Sequence, residues 1–309
     1  MEKLYFIGTL PPPNGGVTIY NLRKIEFLRK SSLVEVVQPK MKNLIKIFFI
    51  MLFSTKVTYI SSMNFILVFF NCFSIFKNKV FIDHNASRDF VKYSFIKRVI
   101  YTFSLSRAKS IVLVNGHLKN NYKNLYESDF VFFVESAFLP PDIKNKESIL
   151  NTYPVALKID DGNQCVVASI SKPSLKDGND VYNSELILNV FDSLSKKFPS
   201  IYFIVAISDV SGKDDYSKYI VERANEIEKI RSNFFLLSDG KILWPIFERT
   251  ILYFRPTLTD GDSITIHEAN YFGSKVLCSD VVVRPSFCQL FNLSIDNVEE
   301  LMISILEKK

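Results

Sequence analysis

The chain is poor in the residues from which metal centres and disulfide frames are built: three histidines and four cysteines in 309 residues. Cys72, Cys165, Cys278 and Cys288 are far apart, form no CxxC pair, and lie in or beside apolar stretches. They read as reduced core thiols of a cytosolic protein, which excludes a disulfide scaffold and a zinc ribbon. Glycine is scarce at 10, against 28 phenylalanines and 14 tyrosines, so the expected interior is dense and aromatic with no low-complexity tract. No GxGxxG occurs, which argues against a dinucleotide cofactor. The strongest apolar runs, at 47–53 and 66–70, are broken by Lys46, Ser54-Thr55-Lys56, Ser61-Ser62 and Asn71. The pieces stay under about 15 residues, too short to span a bilayer. The opening Met1-Glu2-Lys3-Leu4-Tyr5-Phe6-Ile7 reads directly as a strand with no signal-peptide pattern.

What is present is an apolar fraction of 48%, ample for a large core, and a net charge of +6 unevenly spread. Up to residue 155 there are 21 basic and 10 acidic side chains; beyond it, 17 and 22. A basic first half suggests an anionic partner. Of nucleic acid, a membrane surface and a phosphorylated substrate, nucleic acid is the weakest candidate and is not expected as a partner, because the basic residues are scattered, no binding motif is present, and the aromatics sit in apolar runs.

Short apolar runs alternate with helical ones. Strands are expected at 4–8, 33–37, 57–61, 80–83, 110–115 and 130–135, and helices at 17–30, 43–53, 64–76, 93–104 and 117–122. Polar and chain-breaking residues follow, including Pro140-Pro141 and Pro154. The alternation then restarts, with strands at 165–170, 202–207 and 234–237, helices at 183–196 and 218–230, and a terminal helix at 298–309. The fold class is α/β, with parallel sheets covered by helices on both faces. The expected domains are 1–155 and 156–309. The apolar helices at 43–53 and 64–76 have two readings: internal crossover helices, or helices seated in a membrane interface beside Lys40, Lys42, Lys46 and Lys56.

Residues 251–280 carry the chemistry. A buried strand at 251–254 leads into a small, polar loop, then a helix from 264 that stops at Gly273, then a strand at 276–278. The loop ends at a helix start, where free N–H groups and the dipole favour an anion. Asp260 precedes the helix and Glu268 sits inside it, eight residues on. An anion site beside two carboxylates suits a ligand with a diphosphate and hydroxyls.

The segment Asp260, seven residues, Glu268-Ala269, then Gly273-x-x-Val276-x-x-Ser279-Asp280, resembles the donor-site signature of family-4 glycosyltransferases of the GT-B fold. Asp260 stands where that family usually has Glu. The variant Arg255-Pro256-Thr257, with Thr259-Asp260-Gly261-Asp262-Ser263 and Arg284-Pro285, is similar to the branch that builds bacterial surface polysaccharides such as O-antigen and capsule. The resemblance implies two Rossmann-like domains facing across a cleft, the first acceptor-side and the second binding the nucleotide sugar. Whether the terminal helix packs back on the first domain is left open. It further implies a retaining, metal-independent sugar transfer to a lipid-linked oligosaccharide, with no cofactor, at the inner face of the cytoplasmic membrane. Glu268 would accept from ribose hydroxyls and Asp260 would hold donor-sugar hydroxyls. Gly261, Asp262, Ser263 and Ile264 would form the donor-binding helix start.

Other loops add to this set. Pro11-Pro12-Pro13-Asn14-Gly15-Gly16 lies between a strand and a helix, and Gly15 and Gly16 let backbone N–H groups approach a ligand. His84, in Asp83-His84-Asn85-Ala86-Ser87-Arg88-Asp89, stands just past a strand end and resembles the family's His-Gly-x-Ser-x-x-Asp loop. It completes the implied catalytic set of His84, Asp260 and Glu268. The family's diphosphate-binding loop corresponds to 171–178; its Arg is missing, and Lys172 and Lys176 are the cations there. His117 reads as a solvated residue. Two further readings stay open: a non-catalytic, membrane-associated GT-B-like scaffold, and a sugar-nucleotide epimerase of similar fold.

Overall fold

Every strand expected from the apolar runs joins one of two parallel sheets in the computed structural model, which describes residues 2–12, 14–154, 164–212, 214–260, 262–294 and 296–308. Contacts divide the chain into two units, residues 1–12 with 16–139 and residues 13–15 with 140–309. The boundary expected at 155/156 lies outside the described residues.

In the first unit, β1 (Glu2–Ile7), β2 (Ser32–Val37), β3 (Thr58–Ile60), β4 (Lys79–Asp83), β5 (Ser110–Leu113) and β6 (Phe132–Val134) form a sheet of order β2-β1-β3-β4-β5-β6. Helices α1 (Gly16–Arg29), α2 (Leu44–Phe53), α3 (Phe65–Cys72) and α4 (Phe95–Ser106) connect them. The step from β1 to β2 runs one way across the sheet, and the later steps run the other. Right-handed crossovers therefore put α1 on one face and α2, α3 and α4 on the other. Asn71 Nδ2 on α3 donates to the Ser104 carbonyl on α4 at 2.7 Å, and Phe48 on α2 meets Phe70 on α3 with ring centres 5.0 Å apart. The helix expected at 117–122 is instead a run of 3-10 turns over Gly116–Asn124, begun by Asn115, whose side chain accepts from the His117 amide. His117 itself is half-buried, and its Nδ1 has no partner among the described residues, contrary to a solvated reading.

In the second unit, a five-residue helix α5 (Lys146–Leu150) precedes β7 (Gln164–Ile170). A two-stranded ribbon of β8 (Leu175–Lys176) and β9 (Asn179–Asp180) follows, then α6 (Ser184–Lys197), β10 (Ile201–Ile207), α7 (Asp215–Ile230) and β11 (Phe234–Leu237). The chain continues through α8 (Trp244–Phe247), β12 (Thr250–Arg255), α9 (Ile264–Tyr271), β13 (Lys275–Ser279), β14 (Gln289–Phe291) and α10 (Val298–Glu307). The sheet order β11-β10-β7-β12-β13-β14 is the Rossmann order. The central strands are near-continuous apolar runs because both faces are covered. One face packs on α6, α7 and α10 around Phe191, Phe203 and Phe254; the other packs on α8 and α9 around Phe247 and Tyr253. The terminal helix, whose docking was open, buries Val298, Met302, Ile305 and Leu306 in the second unit's own core. Gly273 has φ of 87°, the left-handed cap that stops α9.

The short helices α5 and α8, the ribbon strands β8 and β9 and the edge strand β14 escaped the sequence reading. The edge strand β14 buries only Phe291, so it has no apolar run to read. The β8–β9 ribbon turns on Asp177 and Gly178, both at positive φ, a hairpin signal that was present in the sequence.

Candidate active site

In a Rossmann sheet the ligand crevice lies at the carboxyl ends of the strands where the order reverses, here between β7 and β12. Arg255 closes β12 at that point. A charged residue at the end of an otherwise apolar strand needs a partner, and Asp260 provides it. Asp260 Oδ2 accepts from Arg255 Nε at 3.1 Å and from Arg284 Nη1 at 2.9 Å. Arg255 Nη1 also donates to the carbonyl and to Oγ of Ser169, both at 3.1 Å, tying β12 to the end of β7. Arg284 Nη2 donates to Thr257 Oγ1 at 2.8 Å, and Ser279 Oγ donates to the Thr257 carbonyl at 2.7 Å. Burial opposes ionisation of Asp260, but the Arg255 and Arg284 charges outweigh it and hold the carboxyl below its usual range. Two guanidiniums on one carboxylate leave the cluster with a net positive charge.

The loop that Asp260 begins runs into α9. Ser263 stands at the cap of that helix but makes no side-chain cap bond; its Oγ lies 2.8 Å from Thr265 Oγ1. The Ser263 hydroxyl therefore leaves the first amides of α9 unbonded from its side. Thr265 Oγ1 lies 2.8 Å from Tyr253 OH, which lies 2.6 Å from Ser169 Oγ, so hydroxyls continue the link from α9 to β7. Ile264 and Glu268 are one turn apart on the same side of α9. Glu268 is 4% exposed, and its charge, after burial, pushes the Tyr153 hydroxyl above its ordinary range. Asp262 Oδ1 lies 2.6 Å from His267 Nε2. Gly261 lies outside the described residues.

The second unit thus brings Asp260, Asp262, Ser263, Ile264 and Glu268 into one loop and helix. Lys172 faces Asp214 at 3.5 Å, and Lys176 is exposed on the ribbon. Arg255, Arg284, Ser169 and Tyr253 were missed as site residues. The available cue was Arg255 ending an apolar strand five residues before Asp260, with a second Arg-Pro pair at 284–285. None of the four cysteines is in a disulfide among the described residues; Cys165 and Cys278 are buried and Cys72 and Cys288 half-buried.

His84 and Gly16 belong to the first unit. Gly16 opens α1, and a Cβ added there would meet nothing within 4 Å, so packing does not require glycine. Gly15 falls with the second unit. His84 follows the end of β4, next to the strand reversal between β1 and β3. Its setting determines its protonation. Asn21 Nδ2 donates to the Thr9 carbonyl at 2.8 Å, which turns Asn21 Oδ1 toward Ser61. Ser61 Oγ donates to that oxygen at 2.5 Å, so its single proton is used. Toward His84 Nε2, at 2.8 Å, Ser61 must accept. This fixes the proton on Nε2 and leaves Nδ1 as an acceptor. Gly8 makes room for the chain: a Cβ there would lie 2.8 Å from Phe6 and 2.9 Å from Asn21 Nδ2. Asp83 is occupied structurally, accepting from the Asn85 and Ser87 amides and from Tyr122 OH.

Burial pushes the His84 imidazole down to about 4. A depressed folded pKa means that the unfolded chain takes up this proton first as pH falls. Stability should then fall from about pH 6.5 and stop falling on this account near pH 4. His84→Gln should lack that component. Urea unfolding at pH 7 and at acid pH checks it; equal pH slopes for the two proteins would show that the imidazole charges within the fold.

No protein-family model and no curated protein matches the chain by sequence. Solved structures do match along its whole length. HepE of Anabaena in complex with UDP is similar at 13% identity and TM-score 0.65, covering 100% of this chain and 90% of that one. The α,α-trehalose-phosphate synthase (UDP-forming) of Burkholderia vietnamiensis is similar at 11% identity and TM-score 0.66, covering 100% and 89%. The fold is GT-B. At these identities the likeness establishes the two Rossmann-like units. The same GT-B fold was implied by the motif at 260–280, so sequence pattern and sheet topology agree on it.

Proposed function

We propose that this GT-B protein is a glycosyltransferase that moves a sugar from a nucleotide-sugar donor to a lipid-linked glycan, with retention and without a metal. The observation that carries the reading is the Arg255–Asp260–Arg284 cluster at the Rossmann switch point, beside the start of α9. Bond cleavage in a nucleotide sugar puts negative charge on the departing diphosphate. Preorganised cations and helix N–H groups are placed to stabilise that charge without reorganisation. Arg255, which reaches the end of β7, takes the part of the arginine missing from 171–178, with Lys172 or Lys176 assisting. Asp260 orients the two guanidiniums, since its bonds to them fall on Oδ2. Glu268 accepts from ribose hydroxyls. His84, with Nδ1 as acceptor, orients a hydroxyl of the sugar or acceptor. Support from the neighbours is that HepE was solved with UDP-glucose. A lipid-linked acceptor at the inner face of the cytoplasmic membrane is consistent with the basic, aromatic-rich first half.

The test is nucleotide release from a panel of sugar nucleotides, preceded by a thermal-shift screen for the donor. Release should occur with one donor class and be unchanged by EDTA, because the arginines supply the positive charge. No release and no shift with any donor would leave the scaffold reading in its place. Activity lost in EDTA and restored by magnesium or manganese would overturn the metal-free mechanism. Conversion of the donor sugar with no acceptor and no nucleotide release would identify an epimerase.

A further inference from the structure

The layer formed by α2, α3 and α4 has an inner side in the first unit's core and an outer side that is not covered. On α2, Phe49 and Phe53 are each 54% exposed. On α3 and just past it, Phe69 is 40% and Phe73 51% exposed. On α4, Phe95 is 71% and Phe103 50% exposed. The rings form continuous pairs: Phe49 stacks on Phe53 at 6.1 Å and Phe69 meets Phe73 edge-on at 5.2 Å. Scattered exposed apolar residues are ordinary, but ring rows on α2 and α3 with two more exposed phenylalanines on the adjacent α4 mark a contact surface.

The charge pattern identifies what it contacts. No Asp or Glu occurs between residues 36 and 82, where there are six lysines, or between 90 and 126, where there are seven basic residues. These stretches contain all three helices. Lys42, Lys56, Lys77 and Lys92 are exposed, as is Lys46, which pairs with Glu35 at 3.0 Å at the edge of the face. A second copy of this face would set lysine against lysine, with no acid in either helical stretch to answer it. An anionic lipid surface answers both features, taking the rings into the acyl boundary and the ammonium groups at the headgroups. No helix among the described residues is long and apolar enough to cross a membrane, so contact of these helices with lipid would be interfacial.

We infer that the α2–α3–α4 face is an interfacial membrane-docking surface that seats phenylalanines in an anionic bilayer. This names the membrane contact of the function proposed above and rests on that reading only for its purpose. Docking is measured without sugar transfer, so the two fail separately.

The experiment is flotation of the full-length protein with vesicles of zwitterionic lipid, and with vesicles carrying a quarter anionic lipid. Wild type should float with the anionic vesicles at low salt and less as salt rises. Phe49→Gln/Phe53→Gln/Phe69→Gln should cut vesicle partition at least tenfold at any salt. Lys42→Gln/Lys56→Gln/Lys92→Gln should cut it about a hundredfold on anionic vesicles, since each surface lysine contributes about fivefold. Thermal melts and nucleotide binding of both variants should match wild type. Wild type that stays at the bottom of the gradient at low salt overturns the inference. So does a wild-type dimer in sedimentation that the Phe variant breaks, which would make the face a subunit interface. Equal flotation on neutral and anionic vesicles would overturn the role of charge. Normal flotation without nucleotide release would support the face and sink the transferase.

Discussion

Asp260→Ala should be among the most destabilising single changes in the second unit, costing about 3–5 kcal/mol. The substitution leaves two buried guanidiniums facing each other with no counter-charge. Arg284 is 2% exposed at its side chain and Arg255 11%, so water cannot take over the carboxylate's part. Removing one cation as well relieves the repulsion, and Asp260→Ala/Arg284→Met should recover part of the loss. Urea unfolding of the single and double variants measures the coupling. If the two losses simply add, within about 0.5 kcal/mol, the cluster is not the unit its geometry implies. The pH dependence follows from the same charges. Asp260 has a folded pKa below its unfolded value, so it contributes stability above about pH 3.9. That stability is lost as pH falls through the depressed folded value. Asp260→Asn should be less stable than wild type at pH 7 and should converge on it in acid.

Glu268→Gln should leave the fold intact and weaken donor binding by about tenfold or more. The side chains have nearly the same shape, and Glu268 sits at 4% exposure on a helix that stays packed through Ile266 and Ala269. What changes is one charged acceptor. Hydrogen bonds to charged groups are worth about 1.5–3 kcal/mol, and the loss should appear in titration calorimetry with the nucleotide identified in the donor screen. Transfer should fall by at least as much. Circular dichroism and thermal melts should be close to wild type, which separates loss of contact from loss of structure. Near-normal affinity and turnover would remove Glu268 from the donor site.

The sequence by itself determined the two parallel sheets. Fully buried parallel strands must be apolar over their buried length, and 165–168, 201–207 and 251–254 show it. It also determined the strand, loop, helix and cap at 250–273, because Gly273 and the polar residues before 264 signal their local conformations. Strands buried on one side only, such as β14, escaped it because their pattern is too weak. Only the tertiary structure decided which charges meet. Arg284 is 24 residues from Asp260, in the loop after β13, and only the β12–β13 pairing brings it within 2.9 Å. The same holds for His84, whose proton is assigned by Asn21 and Ser61, 63 and 23 residues away in the chain and adjacent only because β1, β3 and β4 are neighbours in the sheet. Local sequence encodes periodicity, caps and turns. Protonation and charge pairing depend on distances between elements, and those exist only once the sheet order is set.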